Sequence, residues 1–422
     1  MIYLFRFFIF IIFVLLLHAC TPRLTSHFLQ SEDIQYQAST LNRNQVYNRC
    51  NDPLAYAPDT AHLDHTPMKY VRVNVHWMNA VDSASNFNGQ EAIDFTHQLL
   101  AAINKDLANN QRNWLPYNNT TPTLPTQYRF VLTPRANDFK DIGIYFHYDN
   151  DLSPYVHKGK NANLHKREPI KQYSIDGDHI LNIFIMPHHP DSVKSATYGA
   201  YGVGVSLGDA VKAAGMFENR ANNQPENYRG LFNHEIGHIF GLGHAWLYDG
   251  CDDTPEHANK CWAWTPESPC DTLASNNVMD YNAYQHAWTP CQIGKIHQAM
   301  AQEGTVARRF LQPNWCQLHE DQHIIIRDSI HWRGAKDLEG HLTIATGAYL
   351  KVDCRVSLPA GAKITVQPGG TLVLDNAILH NACGDRWEGI EIQSLGKNKG
   401  QVIFIGEPKL ENMRSAIIPI TP

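Results

Sequence analysis

Three textures of apolar and polar positions succeed one another along the chain. Residues 7–17 form an unbroken apolar run, shorter than the ~20 residues a membrane span needs and of the length of a signal-peptide core. Residues 21–64 are polar, rich in Ser, Thr, Asn and Gln, and without period, which predicts a tether or pro-segment. From residue 70 the pattern becomes regular. Residues 70–77 alternate apolar and polar, the mark of a half-buried strand. Beyond the Asn86-Phe87-Asn88-Gly89 turn, Ala92, Ile93, Phe95, Leu99, Leu100, Ile103 and Leu107 recur at helical spacing and predict a helix over 90–109. Residues 128–132, 143–148 and 180–186 read as strands, with a long polar loop over 149–171. Residues 198–206 are Gly-rich: either a strand beside a cleft, where a ligand backbone can come close, or a plain edge or loop. Helices are expected over 227–241 and 290–303.

The texture then changes again. Residues 342–353 and 364–375 match in pattern at an offset of 22 positions, each a strand, a Gly turn, a strand and an Asp. Strands continue over 387–392 and 401–405. A strand-rich repeat of this length predicts coils of a parallel β-helix, each too small to bury a core alone. A small β-sandwich is the alternative. The stack stops at Pro422 without a cap, as a truncated or frayed end would. The expected organisation is a signal peptide over 1–20 and a tether or pro-segment over 21–66. An α+β unit with a mixed twisted sheet follows over 67–305, then an all-β module over 306–422.

At 422 residues the chain is too long for one ordinary domain, in keeping with this division. Its formal charge of −6 and the lack of a long basic run exclude nucleic acid as the main partner. The apolar run ends in Leu17-His18-Ala19-Cys20, which resembles a bacterial lipoprotein signal with Cys20 as the lipidated residue. The alternative is an ordinary secretory signal. Either way the chain is expected to be exported, and in the first case to be anchored to the outer membrane or cell surface. Eight further cysteines, Cys50, Cys251, Cys261, Cys270, Cys291, Cys316, Cys354 and Cys383, suit disulfides in an exported protein.

The candidate chemistry lies in residues 233–244. His234 and His238, four apart on a helix, project from one face and can grip one metal ion. Glu235 lies beside that pair, within reach of a water on the metal. Gly241 can take the positive φ that ends a helix, letting His244 swing back as a third ligand. Three nitrogen ligands leave a tetrahedral zinc one open position, the catalytic arrangement. Met279 lies in a turn about 35 residues downstream.

His-Glu-x-x-His-x-x-Gly-x-x-His with Met279 resembles the metzincin clan of zinc endopeptidases. The Gly-Leu-x-His run, the 250–255 stretch and Val278-Met279-Asp280-Tyr281 are similar to the pappalysin/cytophagalysin family over roughly residues 70–303. The resemblance implies His234, His238 and His244 as zinc ligands and Glu235 as general base and then acid. It implies Met279 as a floor under the metal, Tyr281 as oxyanion stabiliser, and proteins or peptides as substrates. It pairs Cys251 with Cys270 and Cys261 with Cys291. Some relatives bind calcium near an Asp-Thr-Pro stretch, here with Asp252 and Asp253 adjacent; a solvated acidic turn is the other reading. For Cys50 two roles stay open: a latency switch on the zinc, or a disulfide with Cys316 that leaves Cys354 to Cys383. Relatives that prefer basic side chains use an acidic pocket; with Pro290 before Cys291, that preference is not expected. Two other functions compete: a surface adhesin that uses the repeat, and a zinc hydrolase of non-peptide amides.

Overall fold

The computed structural model describes residues 23–40, 49–199, 201–218, 220 and 224–414. The signal-like run and Cys20 lie outside the described residues. The chain forms two units, Asn51–Pro313 and a second made of Asn314–Pro422 with Met1–Cys50.

The first unit is built on one sheet. Its order is Val203–Ser206, Ala210–Ala214, Leu181–Met186, Lys69–Asn79, Tyr128–Leu132, with Ile144–Tyr148 pairing the second half of Lys69–Asn79. Every neighbour pair is parallel except Val203–Ser206, which runs antiparallel along the edge. The alternation seen in residues 70–77 sorts the central strand's side chains between the two faces of the sheet, but the strand is not half-buried as expected: Asn74 and His76 on the polar side are as buried as Val73 and Val75, because both faces are covered. On one face Trp77 packs against Phe87, Phe95 and Phe217 and donates its Nε1–H to Thr96 Oγ1 at 2.9 Å. Thr96 and Phe95 belong to the helix Gly89–Ala108, so the amphipathic stripe predicted there is the one that seats it.

On the other face the loop expected over 149–171 is ordered and carries its own core. It leads into a helix, Glu168–Tyr173, and Tyr155 and Ile170 bury against Met78, Phe184 and Met186. Lys212, fully buried on the strand Ala210–Ala214, donates its Nζ to the carbonyls of Asn163, Leu164 and Lys166 at 2.8, 3.2 and 3.1 Å. Burial lowers this ammonium to about 8, and the carbonyl cage satisfies the donors that water would otherwise take. A buried lysine reads in sequence as an interruption; only its partners reveal it as an anchor.

The second unit holds three sheets whose neighbours are parallel apart from short antiparallel additions at one edge. Leu342 pairs with Ile364, and Tyr349 with Thr371, so the 22-position offset of the repeat is the register of the ladder. Ile324, Leu342, Ile364 and Ile390 stack in one buried column, and Ile326, Ile344, Val366 and Ile392 in the next.

Two expectations change here. The 21–66 stretch is not without structure: Leu24–Phe28 pairs antiparallel with Gly389–Leu395, and Ile34–Gln37 runs parallel to Gln401–Ile405. These strands cover edges that the repeat was expected to leave bare. Most of their residues are exposed, so no apolar period marked them. The first unit also reaches past residue 305. Leu311 bridges to Val71, and Phe310 accepts from Arg72 N at 2.8 Å.

The disulfides also differ from the expected pairing. Cys251 joins Cys291, and Cys261 joins Cys270. The pairs are separate in space because 261–270 closes on itself while Cys251 meets the first turn of the helix Pro290–Ala301. Cys50 joins Cys354, and Cys316 joins Cys383. Cys50 is therefore neither a free thiol for a metal nor the partner of Cys316. Order along the chain carries no information on which sulfurs the fold brings within bridging distance.

Candidate active site

The site grows from the helix Arg229–Ile239, packed beside the edge strand Val203–Ser206. Gly241 has φ +88°, and the helix ends there with Leu242 N donating to Gly237 O and Gly241 N to His238 O, both at 3.0 Å. This is a Schellman ending, which turns the chain back at the position where glycine was expected to break it.

The reversal brings His244 to His234 and His238, with ring centroids 5.3 and 4.7 Å away. One nitrogen from each of the three rings lies within 4.8 Å of the others. Two carbonyls aim the rings. His234 Nδ1 donates to Val278 O, and His238 Nδ1 to Leu242 O, each at 2.8 Å. With both Nδ1 protons so engaged, the two Nε2 atoms present lone pairs to each other at 3.1 Å. Facing lone pairs at that distance repel unless a cation lies among them, so the donor set fits a divalent metal. Burial also holds His234 down to about 3 and His244 to about 4, keeping both neutral, as metal ligation requires. Trp246 stacks on His244 at 4.0 Å and fixes its plane.

Glu235 is buried beside these rings. Burial pushes its carboxyl up to about 7, against a hydrogen bond from the Ser206 backbone that lowers it. A cation among the histidines would draw it down again. Gly204 on the edge strand makes room for it: a Cβ there would lie 2.7 Å from Glu235 Cγ. The Gly-rich stretch thus proves to be the strand beside the cleft. Gly202, Val203 and Gly204 line a cavity of about 890 Å³ with His234, Glu235 and Tyr281.

Met279 is fully buried, with its sulfur against Gly237 of the helix. Its turn is held by Asn277, whose Oδ1 accepts from Met279 N at 2.9 Å and whose Nδ2 donates to Gln292 Oε1 at 2.9 Å. Tyr281 stands at the rim, half exposed, its ring 5.6 Å from His234 and 5.3 Å from His244. The acidic turn is engaged by protein donors. Asp253 accepts from Thr289 Oγ1 at 2.7 Å and Cys291 N at 3.0 Å, capping the helix Pro290–Ala301.

The structure thus brings together His234, Glu235, His238, His244, Met279 and Tyr281, while Cys50 is held in its disulfide. Sequence reasoning missed the carbonyls of Val278 and Leu242, because every residue has one and only the fold aims it. It also missed Trp246 and Trp262, the latter lining the same cavity as His234 and Glu235; no motif marks either.

Residues 165–301 match the Peptidase M43 family, described as pregnancy-associated plasma protein-A. No curated protein matches the chain. Solved structures similar to it include mirolysin in complex with compound 9, at 16% identity over 58% of this chain and 96% of that one, with a TM-score of 0.40. Mature mirolysin of Tannerella forsythia with a cleaved peptide is 16% identical over 57% and 94%, with a TM-score of 0.38. A promirolysin point mutant from the same organism is 15% identical over 65% and 96%, with a TM-score of 0.42. Residues 165–301 are therefore M43-like, and the segment that carries the three converging histidines and Glu235 supports a metalloendopeptidase.

Proposed function

We propose that the protein is a zinc-dependent endopeptidase that cuts extended polypeptides, with His234, His238 and His244 holding the metal and Glu235 moving the proton. The observation that carries this is the convergence of three imidazoles, two of them with Nδ1 tied to a backbone carbonyl, beside one buried carboxylate. Zinc in such a site supplies Lewis acidity for a scissile carbonyl and makes a water more acidic.

The remaining chemistry belongs to this chain. Among the described residues the edge strand Val203–Ser206 pairs on one side only, and that open edge can take a substrate backbone as a further strand. Glu235 accepts the proton of the attacking water and passes it to the leaving amine. The Tyr281 hydroxyl donates to the oxygen on which charge develops. Walls of low polarity, such as Val203 and Leu231, strengthen each of these interactions.

The three parallel sheets are read as coils of a parallel β-helix, supported by the 22-position register. Export and a lipid anchor at Cys20 are supported by the apolar run and by four disulfides, which persist in oxidising compartments. Calcium has little support, since Asp253 is engaged by Thr289 and Cys291.

The test is digestion of a peptide library by the purified protein, with and without a chelator, with the cut sites read by mass spectrometry. Cleavage that zinc restores after chelation is expected. Cleavage indifferent to the chelator, or hydrolysis confined to non-peptide amides, would overturn the proposal.

A further inference from the structure

Around a second cavity of about 450 Å³ the first unit leaves Trp114, Tyr117 and Trp264 in solvent, joined by Arg112, Asn118 and Asp271. Aromatic side chains are normally the first to be buried, and a concave cluster of them, with a few polar groups, is the composition of a recognition site. Both walls are held rigidly. On one, Asn276 accepts from Trp114 N and donates to Arg112 O, each at 2.9 Å. Asn276 directly precedes the residue that holds the Met279 turn. On the other, Cys261–Cys270 closes the loop that carries Trp262 and Trp264.

The same loop joins this cavity to the cleft. Trp262 lines the cleft together with His234, Glu235 and Ala283, and Ala283 N donates to Trp262 O at 2.8 Å. One residue on, Tyr284 OH accepts from Trp264 N at 3.1 Å, and its ring packs on Trp114 at 4.7 Å. One wall, built from residues 262–264 and 281–284, therefore borders both spaces.

We infer that the aromatic cavity is an exosite for the polypeptide being cut. A stretch of the same substrate chain, a few residues from the scissile bond, seats an apolar or proline side chain between Trp114 and Trp264. The occupant follows from continuity with the cleft: residues 262–264 and 281–284 border both spaces, so an extended chain that leaves the cleft along this wall runs onto the aromatic cavity. The inference rests on the endopeptidase reading, and its test is a binding measurement so that the two can fail separately.

The zinc-loaded Glu235→Gln protein is titrated with a random hexapeptide pool and with a random pool about three times as long, followed by tryptophan fluorescence. The longer pool is expected to bind about tenfold more tightly. Trp264→Ala or Trp114→Ala, made in that background, is expected to remove the gain while leaving hexapeptide binding unchanged, and Trp264→Phe to restore part of it. Equal binding of the two pools overturns the inference. So does a gain that survives both alanine variants, and so does quenching of the cluster by an oligosaccharide with no effect of peptide length. Failure of the native protein to cut any peptide counts against the endopeptidase reading alone.

Discussion

At the scale of single residues, the proposed function assigns metal binding to the three histidines and proton transfer to Glu235. Glu235 lies next to His234 in sequence, yet its carboxylate is not needed to gather the three imidazoles. Glu235→Gln should keep one zinc per chain by elemental analysis and lose roughly 100-fold or more in kcat, the range for losing a general base. Loss of zinc along with activity would mean that Glu235 serves the metal instead. Gly204 tests the same group from the other side. Gly204→Ala places a Cβ 2.7 Å from Glu235 Cγ. It should lower kcat by about 100-fold through displacement of the base, with zinc content unchanged. Normal turnover in this variant would show that Glu235 moves freely. The three converging histidines, Glu235, Gly241 and Met279 could be picked out from sequence because their fixed spacing is what brings them together. Gly204 could not, since the collision it avoids is with a residue 31 positions later.

At the scale of elements, what matters is how strands and loops are pinned. His76 on the central strand is fully buried, donating Nε2–H to Asn74 Oδ1 and Asn182 Oδ1 at 2.9 and 2.8 Å, with His147 2.8 Å from its Nδ1. Burial pushes His76 down to about 3 and His147 to about 4. Both are neutral when folded, while in the unfolded chain they titrate near 6.5. Between about pH 6.5 and about pH 3 the unfolded chain therefore binds protons that the folded one refuses. Stability is complete above that window and is lost as pH falls through it. Denaturant midpoints of the zinc-loaded protein should fall from about pH 7 to about pH 5, and His76→Gln should flatten the slope; an unchanged slope would assign the effect elsewhere. The disulfide Cys251–Cys291 closes a sequence separation of 40 and joins the turn after His244 to the helix Pro290–Ala301. Replacing both by Ser should cost about 4 kcal/mol in chemical denaturation, from the freed unfolded chain. A loss under about 1 kcal/mol would mean that Asp253, which caps the same helix, holds the turn by itself.

At the scale of the whole molecule, the second unit is discontinuous in sequence. Its ladder ends on strands drawn from residues 24–37, with Ile34 opposite Val402 and Tyr36 opposite Phe404. Deleting residues 24–37 should bare the edge of Gln401–Ile405 and the buried side chains behind it. The expected result is lower soluble yield and self-association by light scattering, with kcat on a short peptide preserved in the soluble fraction. A monomeric, equally soluble deletion would show that the ladder needs no cover. If proteolysis removes an N-terminal segment during maturation, cuts before residue 24 and after residue 37 should differ in just this way.

The sequence by itself determined everything that repeats or keeps a fixed local spacing. That includes the period-two central strand, the stripe on Gly89–Ala108, the metal-binding motif and the 22-position ladder. Side-chain geometry within a turn or a pleat is set by the backbone period, so these features are readable one window at a time. Tertiary structure decided what depends on distance through space: which cysteines pair, which carbonyls aim the histidines, where Lys212 finds its acceptors and which strands close the ladder. Most of these partners are far apart in the chain, and even the near ones, Leu242 with His238 and Cys261 with Cys270, are of types that occur all along it, so nothing local distinguishes the pair that forms from the many that do not.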